Sequence, residues 1–242
     1  MLELQAAGFD PSSVARQTGL PRSTVRGWMD GRVPRQSRTP ASGTGAPDPS
    51  DMPASYAYLL GLYLGDGCIS EHARGVYRIR VHLDLRYPGI VAEWEASLRE
   101  VMPQNRVNRL NRRSRYTGSD EMTHVEVSCY SKRWPVLFPQ HGPGKKHERR
   151  IVLAPWQEEA VRAWPELCLR GLIHSDGCRN INTGTNWRNP RYSFSNRSDD
   201  IRDIFCWACE LLQLHWTTAP RTIYVSRKAD VARMDTFIGP KA

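Results

Sequence analysis

The chain has 242 residues, of which 34 are Lys or Arg and 25 are Asp or Glu, so its formal net charge is +9. Hydrophobic residues make up 40% of the chain and eight residues are Trp, which supports a packed core and excludes wholesale disorder. No apolar run approaches the roughly 20 residues that span a bilayer, so no membrane-spanning segment and no membrane partner is expected. Arginine pairs bidentately with phosphate and with guanine, so the basic excess predicts a polyanionic partner.

Residues 1–32 are predicted to form the first domain, a small all-α module. Two short helices that meet at a turn containing Gly19 would bury Val14 and Val25 on a shared side, a pattern that resembles the helix-turn-helix motif. A helical hairpin used only for packing is the alternative. Residues 33–53 are rich in Pro, Gly, Ser and Thr and are predicted to form a flexible linker. The predicted DNA contacts of the second helix are Arg22, Ser23, Thr24 and Arg26.

The rest of the chain contains an internal repeat, with repeat 1 predicted over residues 54–154 and repeat 2 over residues 155–242. LLGLYLGDG begins at Leu59 and LRGLIHSDG begins at Leu169, and the aspartates of the two motifs lie 176 − 66 = 110 residues apart. Strand-like stretches and a helix-like stretch follow each motif in the same order, with the helices predicted over residues 89–101 and 199–214. Such a repeat predicts two similar halves that pack as a pseudo-dimer.

Small residues are four positions apart in each motif, at Gly61 and Gly65 and at Gly171 and Ser175. In a helix this spacing places them on one face, where they let two helix backbones approach closely. The two motif helices are therefore predicted to pack side by side, with their aspartates together at the C-terminal ends.

Two carboxylates at adjoining helix C-termini repel each other and also face the negative end of each helix dipole. A divalent cation removes this conflict, and the hard oxygen ligands favour Mg²⁺, or Mn²⁺ in its place. Cations held by a carboxylate pair can activate water and stabilise the leaving oxygen of a phosphodiester. The alternative, that each Asp-Gly pair only ends a buried helix, is disfavoured because the motif occurs twice.

The doubled motif resembles the LAGLIDADG homing endonucleases in their two-motif, single-chain form, from Tyr56 to the C-terminus. The resemblance implies an α+β fold, a pseudo-twofold repeat of αββαββα, in a monomer that cuts both strands of duplex DNA with Mg²⁺. His174 occupies a motif position where the family often has an acid, and it is predicted either to lie at the interface or to contact a metal ligand, rather than to bind metal itself. The implied metal ligands are Asp66 and Asp176 with the backbone carbonyls of Gly65 and Ser175. The implied catalytic residues are Asp66, Asp176, Lys146 and Lys241.

Arginine and asparagine residues cluster in the predicted hairpins of both halves. These side chains match the hydrogen-bonding edges of guanine and adenine, although each residue alone is equally typical of a solvated loop. The candidates in the first half are Arg106, Arg109, Arg112, Arg113 and Arg115. Those in the second half are Asn180, Asn182, Arg188 and Arg191.

Two functions are compatible with these features. The first is a site-specific double-stranded DNA endonuclease of the homing type, and the second is a non-cleaving transcriptional regulator on the same scaffold. The presence of both aspartates and both lysines favours the enzyme. An RNA-splicing helper is a weaker third possibility, because a helix-turn-helix reads duplex DNA. The N-terminus lacks a secretory signal pattern, so the expected location is the cytoplasm, in association with the nucleoid.

Overall fold

The structure is a computed structural model that describes residues 10, 13–15, 25–26, 51–113 and 122–239. The chain divides into two units, residues 1–44 and residues 45–242.

The described residues of the first unit include two helical segments, residues 13–15 and 25–26. Asp10 caps the first segment, since its carboxylate accepts from the Ser13 hydroxyl over 2.6 Å and from the Ser13 backbone N–H over 3.3 Å. Val14 and Val25 are buried, and Arg26 is exposed. The predicted contacts Arg22, Ser23 and Thr24 lie outside the described residues, so the helix-turn-helix stays a prediction.

The second unit consists of two halves with the same element order. The first half comprises α1 (Ser55–Gly65), β1 (Cys68–His72), β2 (Val76–Asp84), α2 (Pro88–Val101), β3 (Val107–Arg113), β4 (Met122–Ser131) and α3 (Trp134–Leu137). After a connecting helix, α4 (Pro155–Ala163), the second half comprises α5 (Pro165–Asp176), β5 (Gly177–Gly184), β6 (Trp187–Ser195), α6 (Asp199–Leu211), β7 (Thr217–Ala219), β8 (Thr222–Val225) and α7 (Lys228–Ile238).

Each half contains a four-stranded antiparallel sheet, and the strand order is equivalent in both: β1-β2-β4-β3 in the first and β5-β6-β8-β7 in the second. The predicted α+β fold class, a pseudo-twofold repeat of αββαββα, is confirmed. No helix in the described part of the chain combines the length and apolar character needed to cross a membrane.

The strands alternate between a core face and an outer face because successive side chains of a strand point in opposite directions. In the first sheet Val81 of β2 is in register with Val127 of β4, and both are fully buried. In the second sheet Phe194 of β6 is in register with Ile223 of β8 on the equivalent buried face. Helix α2 packs against the first sheet. We call the face opposite to the buried Val81 and Val127 side chains the outer face.

The motif helices α1 and α5 make the most extensive helix–helix contact in the described residues. Gly61 and Gly171 lie where the backbones cross. A β-carbon on Gly61 would collide with the carbonyl oxygen of Cys168, and a β-carbon on Gly171 would collide with that of Tyr58. Glycine is therefore required at both positions by the close approach of the two backbones.

A polar cluster joins the two halves beside these helices. Arg170 of α5 forms a two-pronged ion pair with Glu93 of α2, with N···O distances of 2.7 and 2.8 Å. The same guanidinium donates to the carbonyls of Phe237 and Ile238, at the C-terminal end of α7. His174 lies at this interface, as predicted, where its ring contacts the Tyr58 hydroxyl over 3.0 Å and the Ile238 carbonyl over 3.1 Å.

Arg170→Ala is expected to destabilise the fold, because it removes both the ion pair and the cap of α7. We expect a loss of about 2 kcal/mol in the free energy of unfolding, which corresponds to a fall of roughly 4–8 °C in Tm. Thermal unfolding followed by circular dichroism measures it. Arg99→Ala is the matched control, since its exposed pair with Glu95 spans one helical turn and is expected to contribute less than about 0.5 kcal/mol. Equal effects of the two variants would contradict the assignment.

Candidate functional site

The acids of the two motifs lie at the ends of the crossed helices. Asp66 directly follows α1, where its backbone N–H donates to the Leu62 carbonyl over 3.0 Å and its side chain is exposed. Asp176 is the last residue of α5 and is half-buried. A β-carbon built on Gly65 would lie 3.0 Å from Oδ2 of Asp176. The Asp176 carboxylate is therefore packed against the last turn of α1, beside the backbone that carries Asp66.

Lys146 caps the C-terminal end of α1. It is the last residue of the GPGKK sequence (residues 142–146) and begins a short 3₁₀ turn. Its Nζ donates to the carbonyls of Leu64 over 3.0 Å and Gly65 over 2.9 Å, and also to that of Tyr63. The ammonium lies 4.9 Å from the centroid of the Tyr63 ring. A cation at this position satisfies carbonyls that have no partner within the helix and complements the negative end of its dipole.

Burial of the ammonium lowers the pKa of Lys146 to about 8, and the negative charges of Asp66 and Asp176 oppose this shift. Both acids therefore act on one cation. Lys146 offsets part of the repulsion that the sequence predicts between two carboxylates at adjoining helix ends.

The loop that carries Lys146 is organised by Arg149. Its guanidinium donates to the carbonyls of Gln140 over 3.0 Å, Pro143 over 3.3 Å and Gly144 over 3.0 Å. Gly144 has φ +76°, a conformation that glycine adopts without strain. These contacts hold the loop in the conformation that presents Lys146 to the end of α1.

Asn196 is a site residue that the sequence interpretation missed. Its amide Nδ2 donates to Oδ2 of Asp176 over 2.6 Å, and its Oδ1 accepts from the Ser198 backbone N–H over 2.8 Å. The amide is thus held in a single orientation by the start of α6. The only available signal was its position between β6 and α6, next to Arg197.

A cleft of about 290 Å³ opens at this point, in front of Asp176. Arg197 is exposed there and has no ion-pair partner among the described residues. The cleft brings together Leu64, Gly65, Lys146, His147, Asp176, Ser195, Asn196 and Arg197. Asp66 is at the adjoining helix end but is not part of the lining, and Lys241 lies outside the described residues.

The residues present fit a divalent cation whose remaining ligands come from outside the chain. The described part of the chain contains no cluster of three or more His, Cys, Asp or Glu side chains that could hold a metal alone. Mg²⁺ commonly binds one or two carboxylates and completes its shell with water and phosphate oxygens. Asp66 and Asp176 could supply those carboxylates. The Gly65 carbonyl, a predicted ligand, accepts from Lys146, and the Ser175 hydroxyl donates within its own helix to Gly171 and Leu172.

The strand register places the predicted DNA contacts of the first sheet on two opposite faces of that sheet. Arg112 shares the outer face with Glu126, which accepts from it over 3.3 Å. Arg109 is in register with the buried Val127, and its guanidinium lies 3.8 Å from Glu95 of α2. Arg109 therefore lies on the side of the sheet that carries α2, away from the outer face. Arg106 and Arg113 are exposed at the two ends of β3, and Arg115 lies outside the described residues.

The second sheet shows the same separation. Asn180 is in register with Arg191 across β5 and β6, and both side chains lie on the outer face. Asn182 lies on the same face because it is two positions along β5 from Asn180. Arg188 pairs with Thr183 at positions whose side chains point to the opposite face. Trp187 lies over Gly184 on the outer face and is 46% exposed, an aromatic group that the sequence interpretation did not select.

No protein-family model and no curated protein sequence matches this chain. Among solved structures, the N-terminal LAGLIDADG domain of DUF199/WhiA is similar at 12% identity and a TM-score of 0.47, over 82% of this chain and 87% of that one. The homing endonuclease I-WcaI bound to its DNA recognition sequence is similar at 12% identity and a TM-score of 0.49, over 78% and 81% of the two chains. The LAGLIDADG meganuclease I-AabMI bound to uncleaved DNA is similar at 9% identity and a TM-score of 0.43, over 75% and 82%. The activities of these proteins do not carry over to this chain at such values.

Proposed function

We propose that this chain binds duplex DNA with the outer faces of its two sheets and hydrolyses one phosphodiester in each strand at the ends of α1 and α5. The observation that carries the proposal is the meeting of the two motif helices. Gly61 and Gly171 let the two backbones come together, and the Asp176 carboxylate packs against Gly65. The negative charges of Asp66 and Asp176 both raise the pKa of Lys146.

The acids and their neighbours have distinct roles in this proposal. A Mg²⁺ ion held by Asp66 and Asp176 would supply Lewis acidity and an activated water at neutral pH. Asn196 fixes the orientation of the Asp176 carboxylate through its 2.6 Å hydrogen bond. Lys146 places a positive charge where a scissile phosphate would gain negative charge, an arrangement that stabilises a transition state without reorganisation.

The basic charge of the chain supports a DNA partner independently of the acids. The outer face of the first sheet presents Arg80 and Arg112, and that of the second presents Arg191. Basic side chains on a strand surface supply the phosphate and base contacts from which most DNA affinity derives.

A selection from a random duplex library tests the proposal. The full chain is incubated with the library in Mg²⁺, and in parallel in Ca²⁺, which supports binding to carboxylates but is a poorer catalyst for phosphodiester hydrolysis. We expect enrichment of one sequence in the Ca²⁺ arm and double-strand cuts within the same sequence in the Mg²⁺ arm.

The second candidate function is a non-cleaving regulator that binds the same DNA. It is favoured by one observation, the engagement of the Gly65 carbonyl by Lys146, because an ammonium already held at the end of α1 can balance the nearby acids without a metal. Enrichment in Ca²⁺ without nicks or cuts in Mg²⁺ or Mn²⁺ would support the regulator and contradict the nuclease.

Lys146→Met is expected to lower the cleavage rate by about 10²- to 10³-fold, the usual effect of removing one preorganised charge from a reacting group. DNA affinity is expected to change less than about threefold, since one phosphate contact contributes little among many. Single-turnover cleavage and fluorescence anisotropy measure the two quantities. Lys145→Met is the matched control, because this neighbouring lysine is 70% exposed and pairs only with Glu148 among the described residues. A loss of affinity with an unchanged cleavage rate would contradict this role.

A further inference from the structure

A second cleft, separate from the one at Asp176, opens at the edge of the second sheet. It encloses about 290 Å³, close to the lower limit of roughly 300 Å³ for small-molecule sites in proteins. Its lining includes Trp216 and Tyr224 together with His215 and Arg227. Trp216 directly precedes β7, Tyr224 lies on β8, and Arg227 directly precedes α7. Aromatic and basic side chains from three elements therefore meet in one concave place.

The two aromatic rings are held in place by their surroundings. Tyr224 lies on the outer face of the second sheet, because its neighbours on β8 are the buried Ile223 and Val225. The guanidinium of Arg191 lies over its ring, 4.4 Å from the centroid. Trp216 is half-buried and packs against the core. A planar ligand therefore meets aromatic groups that are already positioned.

Two basic side chains border the aromatic rings. The carboxylate of Asp230 accepts from the His215 backbone N–H over 3.0 Å and lies 3.1 Å from Nδ1 of the same residue. This leaves Nε2 of His215 without a partner among the described residues. Arg227 is exposed, and its guanidinium has no hydrogen-bond or ion-pair partner in the described part of the chain. Because a guanidinium pairs two N–H donors with two phosphate oxygens, the cleft offers an anion-binding group beside its stacking groups.

The fold itself does not require these aromatic residues. The registers of the two sheets equate Ser128 of β4 with Tyr224 of β8. They also equate Val107 of β3 with Trp216. The same topology therefore forms in the first half with a small polar and an aliphatic side chain at these two positions. A ligand of the second half accounts for the aromatic pair, whereas the architecture does not.

We infer that this cleft binds an unpaired nucleotide, whose base stacks on Trp216 and Tyr224 and whose phosphate pairs with Arg227. Every nucleobase has a π-face that stacks on an aromatic side chain, and each nucleotide carries a phosphate beside its base. Two sources share this chemistry, a free nucleoside monophosphate and an unpaired nucleotide within a DNA strand. The inference does not depend on cleavage at the motif acids.

Nuclear magnetic resonance of the full chain labelled with ¹⁵N tests the inference. The probes are adenosine 5′-monophosphate (AMP), adenosine and a single-stranded DNA oligonucleotide. The indole N–H signal of Trp216 is identified by its absence from the spectrum of Trp216→Phe. We expect this signal to shift with AMP, with the oligonucleotide or with both, and adenosine to bind at least about tenfold more weakly than the phosphate-bearing probe. A response to AMP assigns the cleft to free nucleotides, and a response to the oligonucleotide alone assigns it to a DNA strand.

Two substitutions separate the stacking contact from the phosphate contact. Trp216→Ala is expected to lower the affinity for the phosphate-bearing probe by about tenfold or more, the usual effect of losing one base–aromatic stack. Arg227→Gln is expected to lower that affinity by about tenfold while leaving the affinity for adenosine within about twofold. The matched controls are Trp164→Ala and Arg99→Gln, which replace an exposed Trp and an exposed Arg outside the cleft. Both are expected to leave the affinities unchanged.

The inference would be overturned by a Trp216 signal that none of the three probes shifts, or by adenosine that binds as tightly as the phosphate-bearing probe. Equal losses in the two cleft variants and their controls would also overturn it. Thermal unfolding verifies that each variant retains the fold. Trp216 packs against the core, so the exposed Arg227 position supplies the decisive variant if Trp216→Ala does not fold.

Discussion

Asp176→Asn is expected to reduce the rate of Mg²⁺-dependent cleavage by at least about a thousandfold, because an electrostatic contribution of several kcal/mol to the transition state is lost with the charge. Asn retains an oxygen that can accept from the Asn196 amide, so the local packing against Gly65 is preserved. DNA affinity is expected to stay within a few-fold of the unsubstituted chain, or to rise, since a negative charge near phosphates is removed. Single-turnover cleavage and anisotropy titration at fixed ionic strength measure these effects.

Asp66→Asn is expected to reduce the cleavage rate by the same factor, because cations shared by the two acids require both carboxylates. The matched control is Asp203→Asn, an exposed acid on α6 that is expected to leave the rate unchanged. Full activity of either motif variant, or a loss of binding that parallels the loss of cleavage, would contradict the assignment of the acids to catalysis.

Gly61→Ala is expected to destabilise the fold by roughly 3 kcal/mol, equivalent to a fall of about 6–12 °C in Tm. The added carbon would collide with the Cys168 carbonyl and would lie 2.9 Å from the Leu172 backbone nitrogen. Both obstacles are backbone atoms, so the strain can be relieved only by separating α1 from α5. That separation also moves Asp66 away from Asp176. The cleavage rate, measured below the Tm of the variant, is therefore expected to fall by more than the fraction of unfolded protein explains.

The matched control is Gly142→Ala. Its added carbon would lie 3.5 Å from Nε of Arg149, an ordinary contact, and the expected change is within about 0.5 kcal/mol. Chemical and thermal unfolding of the two variants measure the change in the free energy of unfolding for each. A Gly61→Ala protein as stable as the Gly142→Ala protein would mean that the two motif helices do not cross closely.

The repeat, the strand-like runs and the motif helices were predictable because they depend on local periodicity, whereas the arrangement of the strands in two sheets was implied by the family resemblance. Small residues four positions apart define a helix face, and alternating Ile and Val residues define the core face of a strand. The helix predicted over residues 89–101 is observed as Pro88–Val101. The helix predicted over residues 199–214 ends at Leu211, because Gln213 adopts φ +54° and the Leu214 N–H bonds back to the Cys209 carbonyl.

The polar partners of the site were less predictable, because they come from distant parts of the chain. The family resemblance implied Lys146 as a site residue, but its contact with the last carbonyls of α1 depends on a loop fold that no local pattern encodes. Asn196 reaches Asp176 only because β6 ends beside α5. The face to which Arg109 and Arg188 point depends on strand register, which a single-residue shift would reverse.

Mn²⁺ bound to a complex of the full chain with its selected duplex tests most directly whether Asp66 and Asp176 share cations beside the scissile phosphates of the two strands. Crystals of that complex, measured at the manganese edge, are expected to show anomalous density about 2 Å from a carboxylate oxygen of each aspartate and from a phosphate oxygen of the DNA. Anomalous density that contacts neither acid, or carboxylates that both turn away from the DNA, would contradict this sharing.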